Sequence, residues 1–508
     1  MRLAQLVAGL SLAADLGSGQ PLDHTLRTCL RATSLGHDLG LDPPALRDVY
    51  YLSLLRFIGC TATSDDDVRE VGGDEIAFVT AVAPVFMDSM PRLAAVVARE
   101  VGRDLPPLQR AGKVVRALTD SNSAQRTITA HCEVASRLAD RLQMGPRIHE
   151  ALRHAFERWD GRGIPGELAG DDIPIAVCIV VVARDAELWS ASTDPETTAA
   201  MLSRRRGHAY APAVVDALLE TGPVVPDHAQ DEALWDRVIA AEPAPQVTVN
   251  DSSLDAALGA FADFADLKSP YTRRHSSGVA TLAADAARAM GENGYGPTLL
   301  HRAGLVHDLG RVGIPLSVWD REGPLSRSER ERVRLHPYLT ERVLSACPLE
   351  DVVQLARSHH ERLDGSGYHR GCGPGELGLY ARLLAAADTY QAMTEDRAFR
   401  PAHSAAEATA ELQRAADDGL LDRRAVAAVL DAAGQQPQPA RGVWPSGLTD
   451  REVDVLRLLA RGRTNRQIAG DLVISAKTVG HHVEHIYTKA GVSTRAGATL
   501  FAMEQQLL

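Results

Sequence analysis

Hydrophobic positions along this chain recur mostly at helical spacing. Leu299 to Leu309 and Tyr380 to Ala387 are apolar-periodic runs of about the length one helix needs. Residues 1–245 are rich in Ala and Leu with the same period and are broken by Pro and Gly. Val453, Leu456, Leu459 and Ala460 repeat the spacing in the last part of the chain. The expectation is an all-α protein. Two stretches divide it. Residues 222–250 carry Pro223, Pro226, Pro243 and Pro245 around one short helical pattern, and Gly434 to Ser446 contains Gln-Gln-Pro-Gln-Pro. The expected pieces are 1–245, 250–433, a linker over 434–446, and 447–508. At 508 residues the chain has room for about three domains of ~150 residues. Leu3 to Ala14 reads as a buried first helix rather than a signal sequence, since Asp15 follows at once. The longest apolar run, Ile173 to Ala183, is too short to cross a bilayer and contains Pro174, so no membrane segment is expected.

The chemistry concentrates in the second piece. His359-His360 run into Glu361 and then into the tight, glycine-spaced turn Asp364-Gly365-Ser366-Gly367 before Tyr368. A helix ending in two histidines can present metal ligands. Company for them lies upstream in His275, His307-Asp308 and His336, and downstream in Asp388. Each step along that series suits one helix and its connection, so each ligand can come from a different helix of a bundle. Mixed imidazole and carboxylate donors suit Fe, Mn, Zn or Ni better than Ca or Mg. Seven donors are too many for one ion that keeps an open position. Two ions bridged by Asp308 can use them, and two-metal sites serve in-line displacement at phosphorus. Arg397 and Arg400, beyond the Asp388 run, either reach substrate phosphates or form ordinary surface ion pairs.

This series resembles the HD-GYP family of phosphohydrolases over roughly residues 260–425. The matching motifs are Pro270-Tyr271-Thr272, His275-Ser276, His307-Asp308-Leu309-Gly310, His336-Pro337, the His359 to Tyr368 stretch, and Asp388 with Tyr390, Ala392, Met393 and Thr394. The resemblance implies a metal-dependent phosphodiesterase acting on cyclic di-GMP, with two divalent ions, iron or manganese. It makes His275, His307, Asp308, His336, His359, His360 and Asp388 the metal ligands. Asp308 is also catalytic as the bridge, with Arg311 steadying the phosphate. Asp364, Gly365 and Tyr368 fall beside the substrate. Four positions depart from the family pattern: Arg311 for Lys, His369 for the Pro of the motif, Thr340 for Gly, and Gln391 for Asp. Tyr271 stands where some members carry a Glu for a third ion, so two ions are expected.

The first half repeats the pattern in degraded form. Glu157-Arg158-Trp159-Asp160-Gly161-Arg162-Gly163 aligns with Glu361-Arg362-Leu363-Asp364-Gly365-Ser366-Gly367. That alignment puts Ala155-Phe156 opposite His359-His360, Asp185 opposite Asp388, and Arg56-Phe57 opposite His307-Asp308. The expectation is a second HD-type bundle without a metal site. His37-Asp38-Leu39-Gly40 has the right letters but is followed by Leu41-Asp42-Pro43-Pro44, so it is read as part of a connection. His131, His149 and His154 are read as surface or capping groups, and Asp65 to Asp67 as a solvated loop or helix N-terminus.

The last piece changes character. Thr449 with Glu452 makes a capping box before the apolar repeat. Thr464-Asn465 opens a second short helix, and Ser475 a third whose polar face carries Lys477, Thr478, His481 and His482. Two short helices, a tight turn and a polar-faced third helix form a helix-turn-helix pattern. This segment resembles the LuxR-type helix-turn-helix, through Leu448-Thr449, Arg451-Glu452, Thr464-Asn465, Ile468-Ala469, Thr478-Val479, Gly491-Val492-Ser493 and Arg495 among others. The resemblance implies that the 476–489 helix reads double-stranded DNA through Lys477, Thr478, His481 and His482. Lys489 falls on phosphate, and the helix from Arg495 to Leu507 serves a homodimer interface.

Composition refines this. The formal net charge of −12 argues against indiscriminate nucleic-acid binding, but residues 447–508 hold eight Lys/Arg against six Asp/Glu, a local basic excess. The six cysteines are scattered with no Cys-x-x-Cys, which fits a reducing cytoplasm. The expected whole is two tandem HD-type bundles followed by a small LuxR-type bundle. It is read as a cytoplasmic bacterial regulator coupling cyclic di-GMP hydrolysis to DNA binding. The alternatives are a catalytically weak nucleotide or metal sensor whose only output is transcription, or a hydrolase of another phosphate ester.

Overall fold

The computed structural model describes residues 1–85, 90–103, 105–120, 122–222, 231–435 and 444–508. Pro223, Pro226 and most of the Gln/Pro-rich linker fall outside these. The described residues form α-helices joined by turns and short 3-10 segments, with no strand among them. The chain divides into two compact units, Met1–Ser253 and Leu254–Leu508. Among the described residues no helix is long and apolar enough to cross a membrane.

In the first unit the Leu3–Gly17 helix is buried on nearly every face, as its continuous apolar sequence requires. The Pro43–Leu55 helix starts where Asp42 accepts a hydrogen bond from the Ala45 amide and prolines fill the first turn, where no amide donor is needed. Tyr50, Leu54, Leu55, Ile58 and Trp189 lie fully inside. Asp65 and Asp67 sit in the first turn of the Ser64–Val71 helix, where negative charge meets the positive end of the helix dipole. His37-Asp38 are the last two residues of the His24–Asp38 helix rather than part of a connection, and His37 faces solvent.

In the second unit the proposed donors sit at helix ends facing a common centre. His275 opens the His275–Ala289 helix, and His307 directly follows the Tyr295–Val306 helix. His336 opens the His336–Leu344 helix, His359-His360 follow Glu350–Ala356, and Asp388 lies within Leu379–Met393. Close approach is built in by glycine. A Cβ on Gly304 would strike the Ala280 backbone, so only glycine lets the Tyr295–Val306 helix lie this close to the His275–Ala289 helix.

The same unit contains the small C-terminal bundle. Thr449–Glu452 and Thr464–Gln467 form reciprocal capping boxes on the Asp450–Ala460 and Asn465–Asp471 helices, and Ser475 caps Ala476–Ala490. Val453, Leu456, Leu459, Ile468, Val479, Ile486 and Phe501 make its core. The Arg495–Glu504 helix buries a second face as well: Thr499, Leu500 and Met503 are inaccessible, yet Leu500 and Met503 lie outside that core cluster. The Leu508 carbonyl accepts a hydrogen bond from Arg274 at 2.9 Å.

Candidate metal centre and candidate DNA-reading surface

All seven proposed donors converge. His275, His307, His336 and His359 and both aspartates are buried, and His360 is partly so. The donor atoms form two groups, His275–His307–Asp308 and His336–His359–His360, each compact enough to hold one ion. Asp308 stands between them. Its Oδ2 lies 3.4 Å from His275 Nε2 and 3.1 Å from His307 Nε2, while its Oδ1 lies 3.3 Å from His336 Nε2 and 3.5 Å from His359 Nε2. Asp388 closes the far side, with Oδ1 at 3.2 Å from His275 Nε2 and Oδ2 at 3.7 Å from His360 Nδ1.

The backbone sets the imidazole tautomers. His307 Nδ1 meets the Gly304 carbonyl at 2.7 Å, His336 Nδ1 the Val333 carbonyl at 2.6 Å, and His359 Nδ1 the Ala356 carbonyl at 2.6 Å. A carbonyl only accepts, so each Nδ1 carries a proton and each Nε2 is the ring atom turned to the centre. The residues fit a metal pair on one further observation: His307 Nε2 is buried and makes no hydrogen bond, an arrangement that costs free energy unless a cation takes the lone pair. The electrostatics agree. Burial alone would push the aspartates up, yet the Arg311 guanidinium and the surrounding imidazoles hold Asp308 well below its ordinary range, and the imidazoles do the same for Asp388. Both carboxylates are therefore anionic and available to cations.

The four departures from the family pattern all have partners. Arg311 pairs with Asp308 at 2.5 Å and stacks over Trp319 at 4.2 Å, so its side chain is fixed at the centre's edge. The Thr340 hydroxyl donates to the His307 carbonyl at 2.9 Å and accepts from the Gly310 amide at 2.8 Å, tying two donor segments together. The His369 ring faces Glu341 at 3.4 Å. Gln391 donates to Glu395 at 2.8 Å.

The signature loop is held from beneath. Buried Glu361 accepts from the Arg370 and Cys372 amides at 2.8 and 2.9 Å. Tyr368 lies against the His360 ring, centroids 4.7 Å apart, and the Arg334 guanidinium lies over the Tyr368 ring at 5.1 Å. Asp364 is exposed and caps its own turn through the Ser366 amide, and Gly365 takes the positive φ of 77° that the turn requires. Arg397 pairs with Glu395 at 3.0 Å and donates to the Tyr271 carbonyl. Arg400 donates to the Ala392 and Met393 carbonyls. Both arginines thus brace the segment after the Asp388 helix. A cavity of about 810 Å³ opens nearby between Arg357, Arg370, Cys372 and Tyr380, and none of the seven donors lines it.

Sequence reasoning missed Glu395, Trp319 and Arg334. None stands in a histidine motif, and only the folded chain brings them to the centre.

The first unit carries the emptied counterpart. A Cβ on Gly59 would collide with the His131 carbonyl, as one on Gly310 would with the His336 carbonyl. His131 therefore takes the place of His336. It is buried, with Nε2 at 2.7 Å from the Arg56 carbonyl, which corrects its reading as a surface group. His154 is buried too, 3.7 Å from Glu157. His149 is part-buried and bonded to Ser136. Glu157 accepts from the Gly166 and Glu167 amides, as Glu361 does in the other loop. Arg56 fills the space between Phe57 and Phe156, its guanidinium 4.8 Å from the Phe156 ring. Burial lowers its pKa to about 10, so it remains charged at neutral pH. A fixed cation occupies the ground where a metal would need donors.

In the C-terminal bundle Lys477, Thr478 and His481 are exposed along one face of the Ala476–Ala490 helix, with His482 half-buried beside them. Lys489 reaches back to Glu452 at 2.7 Å.

The comparisons with known proteins agree with this geometry. The HD domain model matches residues 108–214 and 259–425, which together exceed half of the chain. The model for bacterial regulatory proteins of the luxR family matches 446–502. The 3'3'-cGAMP-specific phosphodiesterase 3 of Vibrio cholerae is 27% identical over 405 residues, covering 79% of this chain and 88% of that protein. A cyclic di-GMP phosphodiesterase of Pseudomonas aeruginosa is 35% identical over 174 residues, 33% of this chain and 40% of its own length. The crystal structure of a cyclic GMP-AMP-specific phosphodiesterase of V. cholerae superposes with a TM-score of 0.59 at 24% identity, over 86% of this chain and 99% of that one, which establishes a shared fold. These relatives support hydrolase chemistry of the metal-dependent HD type. The chain belongs to the HD-domain family, with a degenerate first copy, a second copy that keeps the seven proposed metal donors, and a luxR-family regulatory domain.

Proposed function

We propose that the second HD copy is a two-metal phosphodiesterase for a cyclic dinucleotide and that the luxR-family domain reads DNA. The working division is 1–245, 250–433 and 447–508, joined by the 434–446 linker. The observation that carries the reading is the placement of Asp308, with one carboxylate oxygen toward each histidine group. His275, His307 and Asp388 would hold one divalent transition-metal ion, and His336, His359 and His360 the other. Iron or manganese suits this donor mixture. Such a pair supplies Lewis acidity toward phosphoryl oxygens and acidifies water.

The chain's own residues do the rest. The Nδ1 contacts hold the His275, His307, His336 and His359 rings so that Nε2 faces inward. Arg311, fixed by Asp308 and Trp319, keeps a permanent positive charge beside the position of a bound phosphate. Tyr368, against the His360 ring, borders the centre, and Glu361 holds its loop in shape. Asp364 and Gly365 shape the same loop, while Arg397 and Arg400 act through bracing. The substrate is cyclic di-GMP or its close relative 3'3'-cGAMP, since the similar proteins are named for both. On the DNA side Lys477, Thr478, His481 and His482 present donors on an exposed helix face suited to a major groove. Lys489, engaged by Glu452, would reach phosphate after exchanging that partner. A homodimer would match a two-fold operator.

The test is purified protein loaded anaerobically with iron or with manganese and offered cyclic di-GMP and 3'3'-cGAMP separately. The expected result is turnover of at least one, lost in His359→Ala. Tight binding without turnover would replace the enzyme with a sensor.

A further inference from the structure

Among the four buried imidazoles that point Nε2 inward, one is supported differently. Three place Nδ1 on a neutral backbone carbonyl three residues earlier. His275 follows Arg274, which is in the left-handed region, whereas the residue before His336 is helical. His275 Nδ1 meets the Glu395 carboxylate instead, at 2.9 Å. That carboxylate is itself fixed. Gln391 donates to its Oε1 at 2.8 Å, and Arg397 pairs with its Oε2 at 3.0 Å from a side chain that is 9% exposed. Glu395 lies two residues past the end of the Leu379–Met393 helix that carries Asp388, so one segment supplies both a donor and the support of another.

We infer that Glu395 is a positioning residue that makes the two cation positions unequal. It keeps the proton on His275 Nδ1, leaves Nε2 as the donor, and adds negative charge through the ring. A carboxylate behind an imidazole raises its basicity as a ligand more than a carbonyl does. The position served by His275, His307 and Asp388 therefore binds its ion more tightly than the position served by His336, His359 and His360. Donor geometry runs the same way: Asp388 sets Oδ1 3.2 Å from His275 Nε2, closer than its Oδ2 comes to His360 Nδ1 at 3.7 Å. The inference rests on the metal-centre reading above.

The test is manganese titration of the full chain after chelator stripping, followed by the electron paramagnetic resonance of free and bound ion. The wild-type protein should bind two ions in two resolved steps. Glu395→Gln keeps the shape and an acceptor oxygen but removes the charge. It should weaken the tighter step about 10–100-fold, the usual effect of losing an outer-shell partner, and leave the weaker step and the melting temperature of the metal-free protein unchanged. Gln391→Ala, which only loosens the carboxylate, should weaken the same step several-fold, and stands in if Glu395→Gln does not fold. Two wild-type steps that are unaltered in these variants would overturn the inference while leaving the metal centre intact. Equal weakening of both steps with a lowered melting temperature would also overturn it, in favour of a structural role. A wild-type protein that binds no manganese, iron or zinc would remove the metal-centre reading and the inference with it.

Discussion

Arg274 donates to the Leu508 carbonyl, and the next residue along the chain from Arg274 is His275. The residue four positions beyond the last helix of the luxR-family domain is thus joined to the segment that opens the candidate metal centre. Arg274 adopts a left-handed φ of 69°, uncommon for a residue with a side chain, at the start of the His275–Ala289 helix. The buried second face of the Arg495–Glu504 helix points to the same union. Leu500→Ala should lower the stability of the full chain by about 2–5 kcal/mol, the cost of a buried Leu→Ala cavity. Urea unfolding followed by circular dichroism measures it. A loss under about 0.5 kcal/mol, ordinary for an exposed site, would show that this face is not packed.

Gly310 lies against the His336 carbonyl with no room for a methyl group. Gly310→Ala must push the His307-Asp308 turn away from the His336 helix. Loss of metal binding is expected, read as ions per chain by mass spectrometry. Gly59→Ala, the same change in the first unit, should reduce stability there and leave the metal content unchanged.

The buried imidazoles of the first unit give a pH prediction. Burial pulls His24 down to about 3 and His131 to about 4. Both stay neutral in the folded protein while their unfolded counterparts take up protons near pH 6.5. Their contribution to stability is therefore complete above about pH 6.5 and is lost as pH falls toward 4. Asp15 acts in the opposite sense, since burial pushes it up to about 8 and it holds a proton in the folded state. The two rings outnumber it, so net stability of this unit should fall through that window. Nuclear magnetic resonance titration should find both rings neutral at pH 5.5; a midpoint near 6.5 for either would contradict their burial.

The all-helical fold and the order of the donors were legible in the sequence because helical period and helix-end histidines are local signals. The capping boxes at Thr449 and Thr464 were local too. Missed features depend on packing. Nothing near His131 marks it as the partner of Gly59. Glu395 matters only because the fold brings it to His275 Nδ1 from 120 residues along the chain. Arg397 and Arg400, plausible phosphate contacts by charge, are drawn to carbonyls and Glu395 by a chain path that sequence does not display.

The exposed Lys477 face gives a prediction on the DNA side. Lys477→Ala should weaken binding to the protein's own promoter fragment. If Lys477 contacts phosphate, the slope of log affinity against log salt should drop by about one. Fluorescence anisotropy at several salt concentrations reads both quantities. An unchanged affinity and slope would place the reading surface elsewhere.

The central claim is that Asp308 joins two cation positions. The most direct test is the metal content of protein purified without oxygen or chelator, compared with that of Asp308→Ala. The account expects two transition-metal ions per chain in the wild type and fewer than one in the variant. An empty wild-type protein, or a variant that still holds two, would contradict it.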